Sequence, residues 1–316
     1  MQFGLKPIRF LNRTTSIICQ NENGPCPLLA LANALILQGR FSFHTDRKFI
    51  SLDNLIEIVA NNYIESNQRQ TSTNSVAEPD IICHQNQLDE VLCLLPGLAR
   101  GLDLNVHFTG PSDFEFTKEL SLFDSLGIPI YHGWLVDPQD VEASSVVGTQ
   151  SYNHLMYQLV EFKSLSDQIH GNSNSSHQQT CIDPISSSED MSTCTNSPLH
   201  AQAFSTTKHV SSVPSYPSYS SAATSSVQTT TGSEQELLRK GAIVEHFLLS
   251  SASQLTYCGL LALHQCMREN QIAVFFRNNH FSTMFKSKGS LYLLVTDAGY
   301  RDEAQVIWEQ LDDIDG

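Results

Sequence analysis

The stretch Gln20–Arg40, QNENGPCPLLALANALILQGR, sets a thiol at the border between a polar loop and an almost wholly apolar run. Pro27 suits the first turn of a helix, where its missing N–H costs nothing, and Gly39 suits the end of one. Cys26 is therefore expected at the start of a buried helix, facing unpaired backbone N–H groups and the positive end of the helix dipole. Such surroundings lower a cysteine pKa. At an ordinary pKa of about 8.5 only roughly 3% of a thiol is ionised at pH 7, whereas near a pKa of about 5 almost all of it is. Two readings of Cys26 stay open at this level: a nucleophile, or a small apolar residue in a tight turn.

A nucleophilic thiol needs a base. Of the twelve histidines, His170, His177, His200 and His209 lie in a long polar stretch. His84, His246 and His264 fall on or beside helical patterns, and His107 and His132 sit in apolar strand contexts. His280 differs, because it opens a β-rich run directly after the polar turn Arg277-Asn278-Asn279. A cysteine at a helix start with a histidine on a later strand is the arrangement of papain-like thiol hydrolases. Gln20, six residues before Cys26, could supply a side-chain amide that joins the Cys26 N–H in an oxyanion hole; the alternative is a plain loop hydrogen bond. Asp297 and Asn279 are candidates to orient His280. Trp134, Tyr152 and Phe276 read first as core residues, although Phe276, four residues before His280, is placed to line a cleft.

Several elements must position these groups. Ile8–Cys19 reads as a strand leading into the Gln20 loop, followed by the Cys26 helix. Ser51–Tyr63 and Gln85–Leu95 show helical apolar spacing, with Ser66–Pro79 a loop between them. Asn105–Thr109 alternates like a strand. Glu119–Leu126 and a stretch around Tyr152–Val160 read as helices, and Ile128–Val136 is an apolar, aromatic run. Glu234–Ser250 and Leu255–Glu269 read as two more helices. Ile272–Phe276, His280–Phe285 and Ser290–Thr296 form a three-stranded meander, and Val306–Leu311 closes the chain. The sum is an α+β fold with a helix-borne cysteine and a strand-borne histidine.

Residues 164–235 interrupt that pattern with Ser, Thr, Gln, Asn and Pro. A segment so poor in apolar residues does not offset its ordering entropy and reads as a disordered insertion. Lengthening a connection from about 10 to about 70 residues costs only about 1.7 kcal/mol of closure entropy. Residues 1–163 and 236–316 are therefore expected to form one domain. The formal charge of −15 argues against nucleic acid and anionic membranes as partners. No apolar run approaches the length of a membrane span, and the first residues lack a signal-peptide core. The eight cysteines, without a CxxC pair, read as reduced thiols in cytosol or nucleus, without a zinc site.

The stretch QNENGPCPLLAL resembles the catalytic-cysteine motif of the MINDY deubiquitinases, and FFRNNHFSTM followed by LYLLVTD resembles that family's histidine motif. GLDLNVHFTG, YHGWLVDPQ and QLTYCGL are similar to further family blocks. The resemblance implies a cysteine-dependent hydrolase of the isopeptide bond between ubiquitins, favouring lysine-48-linked chains, trimming from the distal end and serving protein turnover. It implies Cys26 as nucleophile, His280 as acid and base, and Gln20 as oxyanion donor. It implies Leu104, Trp134, Tyr152 and Phe276 as contacts to the distal ubiquitin, Leu104 standing where members often carry valine. No metal or organic cofactor is expected. The expected partners are polyubiquitin and ubiquitinated proteins, and the chain itself is expected to be a monomer in the cytoplasm and also the nucleus. Two rivals remain: a catalytically silent ubiquitin-binding module, and a thiol hydrolase of another modifier.

Overall fold

The computed structural model describes residues 1–21, 24–44, 46–73, 93–174 and 232–315. The chain enters as a hairpin. Strand β1 (Gln2–Phe10) pairs antiparallel with β2 (Arg13–Ile18), and β3 (Phe49–Ser51) adds to the other edge of β1. The single strand expected over Ile8–Cys19 is thus two. The reversal falls at Leu11-Asn12, both at positive φ (42° and 65°), a type I′ arrangement usually written with Asn-Gly. Leu11 hides that signal.

Helix α1 (Cys26–Gln38) follows as expected and is buried from Pro27 to Leu37. Gly39 ends it at φ 80°, and the guanidinium of Arg13 donates to the carbonyls of Ile36 and Leu37 in the last turn. A helix apolar on every side must be enclosed. The hairpin covers one side of α1 and the C-terminal sheet another. Each fully buried leucine contributes about 1.5–3 kcal/mol, so the start of α1 is carried on one of the most firmly packed elements of the molecule.

Helix α2 (Leu52–Thr73) runs through much of the loop expected at Ser66–Pro79. The helix expected over Gln85–Leu95 lies mostly outside the described residues, and residues 93–98 form α3. The strand expected at Asn105–Thr109 is reduced to single bridges, Val106 to Phe114 and His107 to Ser151. Helices α4 (Lys118–Ser125) and α5 (Val141–Val147) are capped by Thr117 and Asp140. Helices α6 (Tyr152–Asn174) and α7 (Gly232–Ser250) both extend into the stretch assigned to the insertion. Residues 175–231 lie outside the described residues. Helix α8 (Tyr257–Cys266) starts behind a Thr256 cap.

The C-terminal meander is larger than expected. Strands β5 (Ile272–Arg277), β6 (His280–Ser287) and β7 (Ser290–Leu294) are flanked by β8 (Trp308–Gln310) and by β4 (Ile130–His132), in the order β4-β5-β6-β7-β8. β4 joins parallel to β5 as the edge strand of the sheet, so the apolar run at 128–136 lies beside the strand that leads to His280. The result is a mixed helix-and-sheet domain, with α1 held between two sheets. Among the described residues no helix is long and apolar enough to cross a membrane.

Candidate active site

Cys26 opens α1, and its backbone is already occupied. Pro25 has φ −74° and ψ 72°, the inverse γ-turn conformation, and the Cys26 N–H donates to the Gly24 carbonyl at 2.8 Å. The Gly24 N–H donates to the Asn21 carbonyl at 3.1 Å, so the loop is folded on itself up to the thiol. The side chain is half-buried. Burial pushes the Cys26 thiol pKa up, outweighing the pull of the Phe281 N–H and of its own N–H. This corrects the lowered pKa expected from the helix start. The open amide field assumed there is depleted: one N–H serves the γ-turn, Pro27 has none, and the packed helix withdraws water.

His280 is the first residue of β6, paired with Arg277 across the hairpin. Asn278 and Asn279 both take positive φ (51° and 57°), a type I′ reversal for which asparagine is well suited. The hairpin is tied down from outside. Arg277 Nε donates to the Ser253 carbonyl at 2.7 Å, its Nη2 to the Ile314 carbonyl at 2.6 Å, and the Asn278 N–H to Gln254 Oε1 at 3.0 Å. The imidazole is open to solvent on one side, yet desolvation by surrounding atoms pushes its pKa below the usual histidine value. Both shifts therefore favour a neutral thiol and a neutral imidazole. The Phe281 N–H, one residue beyond His280, faces the thiol. The buried Thr283 hydroxyl on the same strand donates to the Ala30 carbonyl of α1 at 3.1 Å. The structure thus brings the strand start and the helix start together. No hydrogen bond joins Cys26 to His280 among the described residues.

Gln20 is gripped by its backbone. Its N–H donates to the Thr296 carbonyl and its own carbonyl accepts from the Ala298 N–H at 3.0 Å, in a parallel bridge to Asp297. Its side chain lies over Gly24, where an added Cβ would come within 3.1 Å of Gln20 Cγ. One residue that composition did not single out fixes the spacing. Asn33, fully buried in α1, accepts from the Ile18 N–H at 2.8 Å and donates to the Ile18 carbonyl at 3.0 Å. It joins the helix carrying Cys26 to the end of β2, two residues before Gln20. The signal was available as a lone amide inside LLALANALIL. Neither candidate orienter bonds His280 among the described residues. Asp297 caps the Gly299 N–H at 2.6 Å, and Asn279 belongs to the turn.

The four expected apolar contacts do not form an exposed patch. Leu104, Trp134 and Phe276 are 8%, 5% and 6% exposed. Trp134 donates from Nε1 to Ser251 Oγ at 2.7 Å and packs on Phe108, Phe247 and Tyr152. Phe276 packs on Phe281 and Phe114 beneath the His280 hairpin. Only Tyr152 is half-open. Beside Trp134 and Tyr152, however, a cavity of about 250 Å³ opens between α6 and α7, with Met156, Leu159 and Leu248 on its walls. The exposed apolar side chains Tyr157, Val160 and Leu249 stand on the same two helices. A larger cavity of about 600 Å³, walled by Leu135, Phe247 and Cys258 among others, includes neither Cys26, Gln20 nor His280. Among the described residues no cluster of His, Cys, Asp or Glu is placed to hold a metal ion.

Comparison with known proteins bears on the chain as a whole. The sequence model of one family, described as MINDY deubiquitinase, matches residues 1–316. The chain is 38% identical over 312 residues to ubiquitin carboxyl-terminal hydrolase MINDY-1 of Bos taurus, covering 99% of this chain and 51% of that protein. It is also 38% identical over 312 residues to MINDY-1 of Homo sapiens, with the same coverage. To MINDY-2 of Mus musculus it is 33% identical over 314 residues, covering 99% of this chain and 40% of that protein. The chain thus spans about half the length of the MINDY-1 proteins it matches.

Proposed function

The chain belongs to the MINDY deubiquitinase family, and from that membership we propose that it is a papain-like thiol hydrolase cleaving the isopeptide bond between ubiquitins. The observation that carries the reading is local. A thiol at the start of a buried helix faces the strand that begins with His280, and the Gln20 side chain lies over Gly24 in the loop that leads to the thiol.

The Cys26 thiol gives its proton to His280, and the sulfur attacks the carbonyl carbon of ubiquitin's C-terminal glycine. The oxyanion is held by the Gln20 amide and by the Cys26 N–H. That N–H must first leave the Gly24 carbonyl, so substrate entry opens the γ-turn. His280 then protonates the departing lysine amine as the C–N bond breaks. Water, deprotonated by His280, then attacks the thioester carbon; the C–S bond breaks, His280 returns the proton to the Cys26 sulfur, and ubiquitin leaves with a free C-terminal carboxyl group. These steps use side chains and backbone of this chain alone.

The finer assignments are lysine-48-linked chains as substrate, trimming from the distal end, action as a monomer in cytoplasm and nucleus, and service in protein turnover. The groove between α6 and α7, rimmed by apolar side chains, suits the hydrophobic patch of a distal ubiquitin.

The test pairs a ubiquitin bearing a C-terminal thiol-reactive group with lysine-48-linked tetraubiquitin, for the wild-type chain and Cys26→Ala. Adduct and cleavage that both disappear in the variant support the reading. Chain binding without adduct or cleavage points to a silent ubiquitin-binding module. Thiol reactivity without ubiquitin recognition points to a hydrolase of another modifier.

A further inference from the structure

Lys6 lies in β1 with 1% of its surface exposed. A buried ammonium is expensive, and a hydrocarbon of similar length would fill the same space more cheaply. Among the described residues no carboxylate forms an ion pair with it. Its Nζ instead donates to the Tyr300 carbonyl at 2.7 Å and to the Val306 carbonyl. Those partners are 294 and 300 residues away in sequence. They sit on the segment 296–306, which leaves β7, makes a 3-10 turn at Ala298–Tyr300 and returns into β8.

The same segment brackets Gln20. Thr296 accepts from the Gln20 N–H, and Ala298 donates to the Gln20 carbonyl. The contact surface is built for a close approach. Gly4, on the same face of β1 as Lys6, lets Arg301 lie flat, since a Cβ there would come within 2.8 Å of Arg301 Cδ. The Arg301 guanidinium continues over the Phe49 ring of β3 at 5.5 Å. The Lys6 charge also acts on the buried thiol of Cys19, the neighbour of Gln20. The ammonium is therefore central to the layer that supports Gln20.

We propose that Lys6 is a positioning residue for Gln20, holding the segment 296–306 so that the Gln20 amide stays aimed at the developing oxyanion. The proposal rests on the reading of Gln20 as an oxyanion donor. Lys6 touches no reacting atom. What it supplies beyond packing is a two-pronged grip on carbonyls that a methionine cannot make.

The experiment is a double-mutant cycle on ubiquitin-chain cleavage with Lys6→Met and Gln20→Ala, with active enzyme counted by end-point reaction with an electrophilic ubiquitin. Gln20→Ala is expected to lower kcat about 100-fold or more. Lys6→Met is expected to lower kcat about 10-fold with KM within about twofold, and to cause no further loss in the Gln20→Ala background. A Lys6→Met effect of equal size in both backgrounds would show a general structural role and overturn the proposal. So would a wild-type kcat in Lys6→Met. A silent Gln20→Ala would remove the oxyanion reading itself, a result distinct from failure of Lys6 alone. If Lys6→Met does not fold, Lys6→Gln keeps an amide donor group on a shorter side chain and is read in the same cycle. Amide exchange at Ala298 should then quicken relative to Cys19, whose N–H is bound to Gly4; equal protection of both amides overturns the proposal.

Discussion

A thiol and an imidazole become a catalytic pair only when their proton affinities meet, and in this state they are held apart. Burial raises Cys26, and desolvation lowers His280. The free enzyme should therefore behave as neutral thiol plus neutral imidazole. Alkylation of Cys26 by iodoacetamide is expected to climb with pH through a midpoint above that of a free thiol, and His280→Ala should leave that midpoint in place. A midpoint near or below neutrality that His280→Ala abolishes would mean a preformed thiolate–imidazolium pair. A second residue offers a cleaner reading of the same physics. His132 is buried on β4, its Nδ1 accepting the Trp134 N–H at 3.2 Å, and burial lowers its pKa from 6.5 to about 4, only partly offset by the Asp113 carbonyl and carboxylate. A depressed pKa confers stability that is complete above the unfolded-state value and lost as pH falls toward the folded one. The folding free energy should therefore decline by about 3 kcal/mol between about pH 6.5 and 4, at about 1.4 kcal/mol per unit. Urea denaturation across that range should show a shallower acid slope for His132→Gln than for wild type.

At the scale of elements, what was legible depended on whether a signal was local. The Cys26 helix could be read end to end, because Pro27, the apolar run and Gly39 each act on their own turn. The His280 strand was legible for the same reason, its Asn278-Asn279 reversal being written in residues that tolerate positive φ. Leu11-Asn12 makes a similar reversal with one residue that does not advertise it, and so β1 and β2 read as one strand. β4 was missed as a partner because its pairing to β5 spans more than 140 residues, and no local pattern encodes that. The lowered thiol pKa failed on tertiary grounds, since the sequence shows a helix start but not the γ-turn and packing that deplete it. Trp134 and Phe276, read first as core residues, are buried, and α6 and α7 cover Trp134, a cover that no local pattern encodes. Those two helices now supply the testable surface. Leu249 is 72% exposed beside the cavity at Trp134 and Tyr152. Leu249→Asp is expected to raise KM for ubiquitin chains about 10-fold, with kcat and melting temperature unchanged. An unchanged KM would place docking on another face.

The whole molecule adds a field to these local contacts. Within 175–231 only Asp183, Glu189, Asp190 and Lys208 are charged, so nearly all of the −15 rests on the rest of the chain. A field of that sign raises the encounter rate with a partner presenting a basic face, and it does so without contributing much to the docked state. The dependence on salt separates this from apolar docking. The screening length shrinks from about 10 Å at 0.1 M salt to about 3 Å at 1 M, while burial of apolar surface is not weakened by screening. If the acidic field steers ubiquitin, kcat/KM for chain cleavage should fall several-fold between 50 and 500 mM NaCl, with kcat held. Alkylation of Cys26 by a neutral reagent should stay level over the same range, which excludes a loss of folded enzyme. A kcat/KM that is flat or rising with salt, together with a large Leu249→Asp effect, would assign recognition to the groove between α6 and α7 and leave the charge to solubility.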